Sequence, residues 1–329
     1  MDNITHSLTG LALARAGFDR FCPRATLLMV LAANAPDADI VGAQGGALRY
    51  LEWHRGYTHS FLGLPLMAIL PVLVVAAIYR QRLPWTRAWL LCCAGVASHL
   101  LIDWTNSYGV RFMLPISSQW FHLDLNNLYD GWIMAALVFA AVWPLFARLV
   151  SSEIGAKGPA GRGAAIWALG FFLLFDAGRA VLHGRAITQL EARLYEDVRP
   201  LQSAALPDTF NPLHWTGVVE TTSSYRVTEL DLLHASAADP AQEFYKPAAR
   251  PSIENAKKTE PFRYFLYFAR FPVWSEEPTT EAGDSGTRLD LTDLRFGRPM
   301  AGSFHCIAVE NSRAEVVRAW FTYGSGADR

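Results

Sequence analysis

The sequence predicts an α-helical membrane bundle followed by a small β-rich extramembrane domain. Three observations predict it. Long apolar runs fill the first 185 residues, alternating strand-like runs fill much of the rest, and His and Asp residues stand at the ends of the apolar runs. Of the 329 residues, 51% are hydrophobic, and the mean hydropathy is positive at +0.14, which is high for a soluble chain. The formal net charge of −1 gives no global attraction to polyanions, so no nucleic-acid partner is expected. The four cysteines, Cys22, Cys92, Cys93 and Cys306, form neither a disulfide framework nor a CxxC zinc motif. The start, Asp2-Asn3, lacks a basic n-region, so no cleavable signal peptide is expected.

Residues 4–17 and 24–41 are apolar but short. A span needs about 20 apolar residues, so these two are expected as short or re-entrant helices shielded by neighbours. Four spans are expected after them, over residues 60–79, 86–104, 130–150 and 164–183. Pro65 and Pro71 are tolerable inside the first of these. Asp176 and Arg179 in the last are spaced for an in-helix i,i+3 contact. If the chain alternates sides, one set of loops carries Arg15, Arg20, Arg24, Arg80, Arg82, Arg87, Arg148, Lys157 and Arg162. The other carries Arg49, Arg55 and Arg111 before the C-terminal region. The richer set is expected in the cytoplasm, which puts the His/Asp residues and the C-terminal domain on the outer side.

The domain boundary is expected at 185/186. Residues 186–200 read as a surface helix or linker closed by Pro200. Strand-like runs follow at Trp215–Val219 and Tyr225–Leu232, with a hairpin turn between them, then at Phe262–Phe271, Arg288–Phe296, Phe304–Val309 and Val316–Tyr323. Residues 275–287 read as an acidic, solvated loop.

The chemistry concentrates in four stretches: Ile4-Thr5-His6-Ser7, Asn34-Ala35-Pro36-Asp37-Ala38-Asp39, Trp53-His54-Arg55-Gly56-Tyr57-Thr58-His59-Ser60, and Ser98-His99-Leu100-Leu101-Ile102-Asp103. An ionisable group at membrane depth is costly unless paired or ligating. His99 and Asp103 are spaced i,i+4, so a helix puts both on one face, the geometry that lets a helix chelate a divalent ion. The expected metal ligands are His6, Asp37, His54, His59, His99 and Asp103. Asp39 is expected as a ligand, general base or orienting group, and Arg55 as a contact to an anionic substrate group. Trp53, Tyr57 and Trp104 read as interfacial aromatics. A donor set of N and O without Cys suits zinc, with manganese or iron as alternatives.

Taken together with Met1-Asp2-Asn3, these motifs resemble the YdjM/YbcI-like family of membrane-bound, metal-dependent hydrolases over the first 130 residues or so. Asn211-Pro212-Leu213-His214-Trp215 and the strands after it are similar to an extra domain that some members carry. The order His, Asp, His, HxxxD is also similar to zinc-dependent phospholipase C, a helical enzyme with a multinuclear zinc site. On that pattern His6, Asp37, His59, His99 and Asp103 match ligands. The phospholipase's later ligands have only His122, Asp124 and Asp130 as counterparts here, which implies one or two ions rather than three. The resemblance implies a bacterial inner-membrane hydrolase acting through metal-activated water. A site at the membrane face points to a phosphoester, lipid or lipid-linked substrate. The rival reading is a non-catalytic membrane metal-binding or partner-binding protein whose β domain is the working module.

Overall fold

The structure is a computed structural model that describes residues 1–80, 82–153, 161–195, 197–234, 241–281, 285–299 and 301–324. In chain order the helices of the first half are α1 (Asn3–Ala16), α2 (Ala25–Ala32), α3 (Ala47–Trp53), α4 (Gly63–Met67), α5 (Ile69–Tyr79), α6 (Trp85–Trp104), α7 (Gly131–Glu153) and α8 (Arg162–Glu191). A 3₁₀ stretch over Ala35–Gly45 separates α2 from α3. Strands β1 (Gln202–Pro207), β2 (His214–Glu220), β3 (Ser224–Asp231) and β4 (Gln242–Tyr245) follow, then α9 (Pro251–Lys258) and α10 (Glu260–Phe268). The chain ends with β5 (Pro272–Thr279), β6 (Gly286–Asp293), β7 (Phe304–Glu310) and β8 (Val316–Tyr323).

Two compact units result. One comprises Met1–Ile40, His54–Arg185 and Pro207–His214; the other comprises Val41–Trp53, Ala186–Leu206 and Trp215–Arg329.

The helical unit is built around a close approach of three helices. Asp2 caps α1 by accepting from the Ile4 and Thr5 amides, which ties down two otherwise orphaned N–H groups. A Cβ at Gly10 of α1 would lie 2.9 Å from the Met29 carbonyl, and one at Gly95 of α6 would lie 2.7 Å from the Ala32 Cβ. Glycine at these two positions therefore lets α1 and α6 press against α2. Leu28, Met29, Val72, Val75, Leu91 and Val96 fill the core between α2, α5 and α6. A second core joins α1 to α7 and α8 through Ile133, Leu137, Ala168 and Phe172.

Among the described residues, two helices, α6 and α8, are long and apolar enough to cross a membrane, and the number rises to four if each of two bent helix pairs counts as one span. The bent pairs are Ala25–Ala32 with Ala35–Gly45, and Ala47–His59 with Gly63–Tyr79, the latter bent by 91°. The bend falls ahead of α4, so the expected span 60–79 corresponds to one arm, Gly63–Tyr79, of a bent pair. Ser60 accepts from the Gly63 amide and donates to the Tyr57 carbonyl, and a Cβ at Gly63 would meet that carbonyl at 1.9 Å. A tight corner held by that serine and glycine starts α4, and α5 follows after Ala68. Helix α8 absorbs the start of the expected linker, running on to Glu191. Arg179 reaches across to the Asp130 carboxylate at 3.0 Å and to the carbonyls of Leu125 and Asp208, while Asp176 accepts from Asn126. The in-helix pairing suggested by sequence gives way to partners on other segments. Lys157 lies outside the described residues.

The second unit carries two four-stranded antiparallel sheets, ordered β1-β2-β3-β4 and β5-β6-β7-β8. Their inner faces share a core of Val218, Tyr225, Val227, Phe271, Val273 and Leu294. The expected hairpin at 221–224 is present, and β7 pairs antiparallel with β8. Phe262–Phe271 is not a strand. Pro261 stands in the first turn of α10, and Phe262, Phe265 and Phe268 are buried at a spacing of three, the period of a helix rather than the alternation of a strand. The acidic stretch 275–287 is also partly ordered: β5 runs to Thr279 and pairs in register with β6, from Pro272 opposite Asp293 to Thr279 opposite Gly286. Residues 282–284 of that stretch lie outside the described residues. Helix α3 packs on β8, with Tyr50 edge-on to Tyr323.

Candidate metal centre

The glycine-mediated contact of α6 with α2 decides the orientation of His99. Gly95 lies one turn before it, and the close approach brings His99 Nδ1 to 2.7 Å from the Ala33 carbonyl. A carbonyl oxygen can only accept, so Nδ1 carries a proton, and in the neutral ring Nε2 keeps its lone pair. His59 is fixed by a parallel chain. The Thr58 hydroxyl donates to Asp39 Oδ2 at 3.1 Å and lies 2.9 Å from His59 Nδ1. With its proton engaged on Asp39, Thr58 accepts from His59 Nδ1, and in the neutral ring His59 Nε2 is also left with a lone pair.

These two lone pairs face each other, His59 Nε2 to His99 Nε2, at 3.0 Å. Two carboxylates complete the group. Asp37 Oδ1 is 3.5 Å from both Nε2 atoms, and Asp103 Oδ2 is 3.5 Å from His59 and 3.4 Å from His99. Asp103 Oδ2 is buried with no hydrogen-bond partner of good geometry among the described residues. Two lone pairs and two carboxylates converging in a buried pocket repel one another unless a cation lies between them. The spacing fits one: tetrahedral zinc with bonds near 2.0–2.1 Å sets its ligand atoms about 3.3 Å apart, and the five distances above lie between 3.0 and 3.5 Å. The residues present therefore suit a divalent metal ion. The other three side chains are at most 1% exposed, whereas Asp37 is 14% exposed, so the group is approached from the Asp37 side.

A second set, Asp37, Asp39 and His54, also offers donor atoms within 4.8 Å of one another, and Asp37 is common to both. Asp39 binds His54 Nδ1 at 3.1 Å through Oδ1 and accepts from the Arg55 amide and Thr58 through Oδ2. His6 is fully buried and stacks on His99 with ring centroids 3.7 Å apart. Its Nε2 is 3.3 Å from Asp103 Oδ1, yet neither ring nitrogen has a well-formed hydrogen bond among the described residues. The Met1 amine also contacts Asp103 Oδ1.

Arg55 lies inside the cluster rather than at its mouth. It is 2% exposed; its guanidinium donates to Asp103 Oδ1 at 3.1 Å, Asn106 Oδ1 at 2.9 Å and the Gly109 carbonyl at 3.3 Å, and it lies over the Tyr108 ring. Its φ of 54° is a left-handed conformation unusual for a side-chain-bearing residue. That conformation lets its amide hold Asp39 while its side chain holds Asp103. Trp53 and Tyr57 are exposed, and Trp104 packs partly into the core.

The structure brings together His6, Asp37, Asp39, His54, Arg55, His59, His99 and Asp103. His122 and Asp124 pair with each other at 3.4 Å and belong to neither donor set, while Asp130 caps α7 and binds Arg179. The sequence reading missed Asn106, the Ala33 carbonyl and the Thr58 hydroxyl. Only Thr58 carried a signal, its place beside His59.

A family model for the YdjM inner membrane protein matches residues 1–186, more than half of the chain. The chain belongs to the YdjM inner membrane protein family. Every residue of the His/Asp cluster lies inside the part matched to YdjM. A Bacillus subtilis (strain 168) relative, described as the uncharacterized protein YfhP, is 25% identical over 307 residues, covering 90% of this chain and 87% of the relative. That similarity runs past the YdjM region into the β-rich unit. No solved structure matches the chain.

Proposed function

We propose that this YdjM-family chain is a membrane-bound, metal-dependent hydrolase that cleaves a phosphoester of a lipid or lipid-linked substrate. The observation that carries the reading is the facing pair of imidazole lone pairs closed by Asp37 and Asp103. Zinc suits two imidazoles and two carboxylates in this spacing, with manganese or iron as alternatives. Asp37, common to both donor sets, allows a second ion with Asp39 and His54. A divalent ion held here supplies Lewis acidity and a water of lowered pKa.

The remaining roles belong to positioning. Ala33 and Thr58 fix the tautomers of His99 and His59. Arg55 holds Asp103 Oδ1 and so turns Oδ2 toward the imidazoles. Asp39, with both oxygens engaged, orients His54 and Thr58 rather than acting as a free base. The partly exposed Asp37 edge is the side from which substrate and water enter.

The reading includes four membrane crossings, with the cluster and the β-rich unit on the periplasmic side, following the bias of basic residues. Detergent-purified protein should contain at least one divalent ion per chain by elemental analysis, and it should hydrolyse a member of a phosphodiester and phospholipid panel in a chelator-sensitive way. Bound metal without turnover across the panel would favour the non-catalytic metal-binding alternative. A reporter fused after Arg329 that works only in the cytoplasm should stay silent; a strong signal would overturn the orientation.

A further inference from the structure

A cavity of about 600 Å³ lies within the helical unit, walled by α1, α6 and α8. It shares two helices with the His/Asp cluster. Thr9 and Leu13 follow His6 along α1, and Ser98, Leu101, Ile102 and Thr105 interleave with His99 and Asp103 on α6. Its size is that of a small-molecule site, about 300–1,000 Å³.

We infer that this cavity takes a single hydrocarbon chain of a membrane lipid, entering sideways from the bilayer. Two wall residues, Leu101 on α6 and Leu173 on α8, are 58% and 73% exposed. Each lies on a helix long and apolar enough to cross a membrane, so the cavity is continuous with the lipid-facing surface. The polar groups of its wall are largely occupied. Ser98 donates to the Gly95 carbonyl, Thr105 to the Ile102 carbonyl, and Asp176 accepts from Asn126; Thr9 Oγ1 has no partner. A peptide here would bring amides that neither this wall nor lipid could satisfy, at several kcal/mol for each. A hydrocarbon chain brings none. That the chain occupying the cavity belongs to the substrate rests on the hydrolase reading; that a lipid chain occupies it does not.

The full-length protein in nanodiscs would be photolysed with a phospholipid carrying a diazirine in mid-chain, and the adducts mapped by mass spectrometry. Adducts should concentrate on cavity-wall residues of α6 and α8. Ala177→Trp and the milder Ala180→Leu, which fill the wall, should each lower wall labelling, the former by about tenfold. Leu174→Trp, an outward-facing change on the same helix, should leave it unaltered. Adducts spread evenly over the outer faces of the helices in the wild-type protein, or wall labelling unchanged in both filled variants, would overturn the inference. The wild-type map stands even if a variant fails to fold. Labelling should persist after metal is stripped with a chelator. Labelling without hydrolysis of any substrate tested would sink the hydrolase reading alone, and hydrolysis without wall labelling would sink the cavity inference alone.

Discussion

The two units each bury a histidine against a carboxylate, and the two arrangements differ in kind. In the β-rich unit, His305 places Nδ1 2.8 Å from Asp290 Oδ2 and Nε2 2.9 Å from the Gly302 carbonyl. Both nitrogens face acceptors, so both donate, and the imidazolium is satisfied by its own neighbours. In the helical unit, His59 and His99 spend their Nδ1 protons on Thr58 and Ala33 and turn bare Nε2 atoms toward each other and toward two carboxylates. The first group is closed. The second could hold a cation from outside. A buried histidine beside an aspartate is therefore no sign of a metal site by itself; the direction of the second ring nitrogen decides.

The widest way to break that comparison is to remove a donor from the open group. His99→Ala and Asp103→Asn should each lower metal occupancy by about a hundredfold or more in affinity, and the double variant should be little worse than either one, because the residues act as a unit. Leu101→Ala on the same helix, at an exposed position, should leave metal content unchanged. Full occupancy in both single variants, with normal membrane insertion, would remove α6 from the site.

Arg55 tests the supporting layer. Arg55→Lys keeps a positive charge against Asp103 but loses the fork that joins Asp103, Asn106 and Gly109. Metal affinity should fall by about 10–100-fold, the range for a lost outer partner of a metal ligand, while circular dichroism stays native. An Arg55 that contacted substrate alone would instead raise KM with metal affinity untouched, and titration with a metal-binding dye separates the two outcomes.

Much of the site was legible in the sequence because its donors sit in short motifs at the ends of apolar runs, where membrane depth makes a lone charge expensive. His99 and Asp103 were readable as a pair from helical spacing alone. What the spacing could not carry was direction. The Ala33 carbonyl that fixes His99 has no side-chain signature, and it reaches the ring only because Gly95 lets α6 close on α2. Arg55 was readable as important but not as inward-facing, since its left-handed backbone is invisible in composition. In the fold, α6 and α8 match two of the expected spans, while 60–79 is one arm of a bent pair, because the corner at Ser60–Gly63 depends on a glycine whose neighbours are set in three dimensions. Phe262–Phe271 was misread because an aromatic-rich run carries strand propensity, and the decisive period of three is short enough to overlook. The β5 half of 275–287 was hidden by its acidic residues, which lie on an exposed portion of the strand.

The narrowest test sharpens the closed side of the comparison. The hydrogen bond that His305 donates to Asp290 raises its pKa above the ordinary value of 6.5, so the folded state holds that proton more tightly than the unfolded chain does. The stabilisation is then fully present below about pH 6.5 and is lost as pH rises through the raised folded value. His305→Gln should cost about 2 kcal/mol, the scale of a buried hydrogen bond to a charged group, and it should flatten the pH dependence. The readout is hydrogen exchange of β6 and β7 amides in the full-length protein, corrected for intrinsic rates. Protection in the wild type should decline above neutral pH, and in the variant it should be lower at acid pH with little further decline. Metal content should be identical in the two proteins, because His305 already has both its partners. Loss of metal in a folded His305→Gln protein would mean that the β-rich unit supports the metal group after all, and the distinction between a closed and an open histidine would fail where it is drawn most sharply.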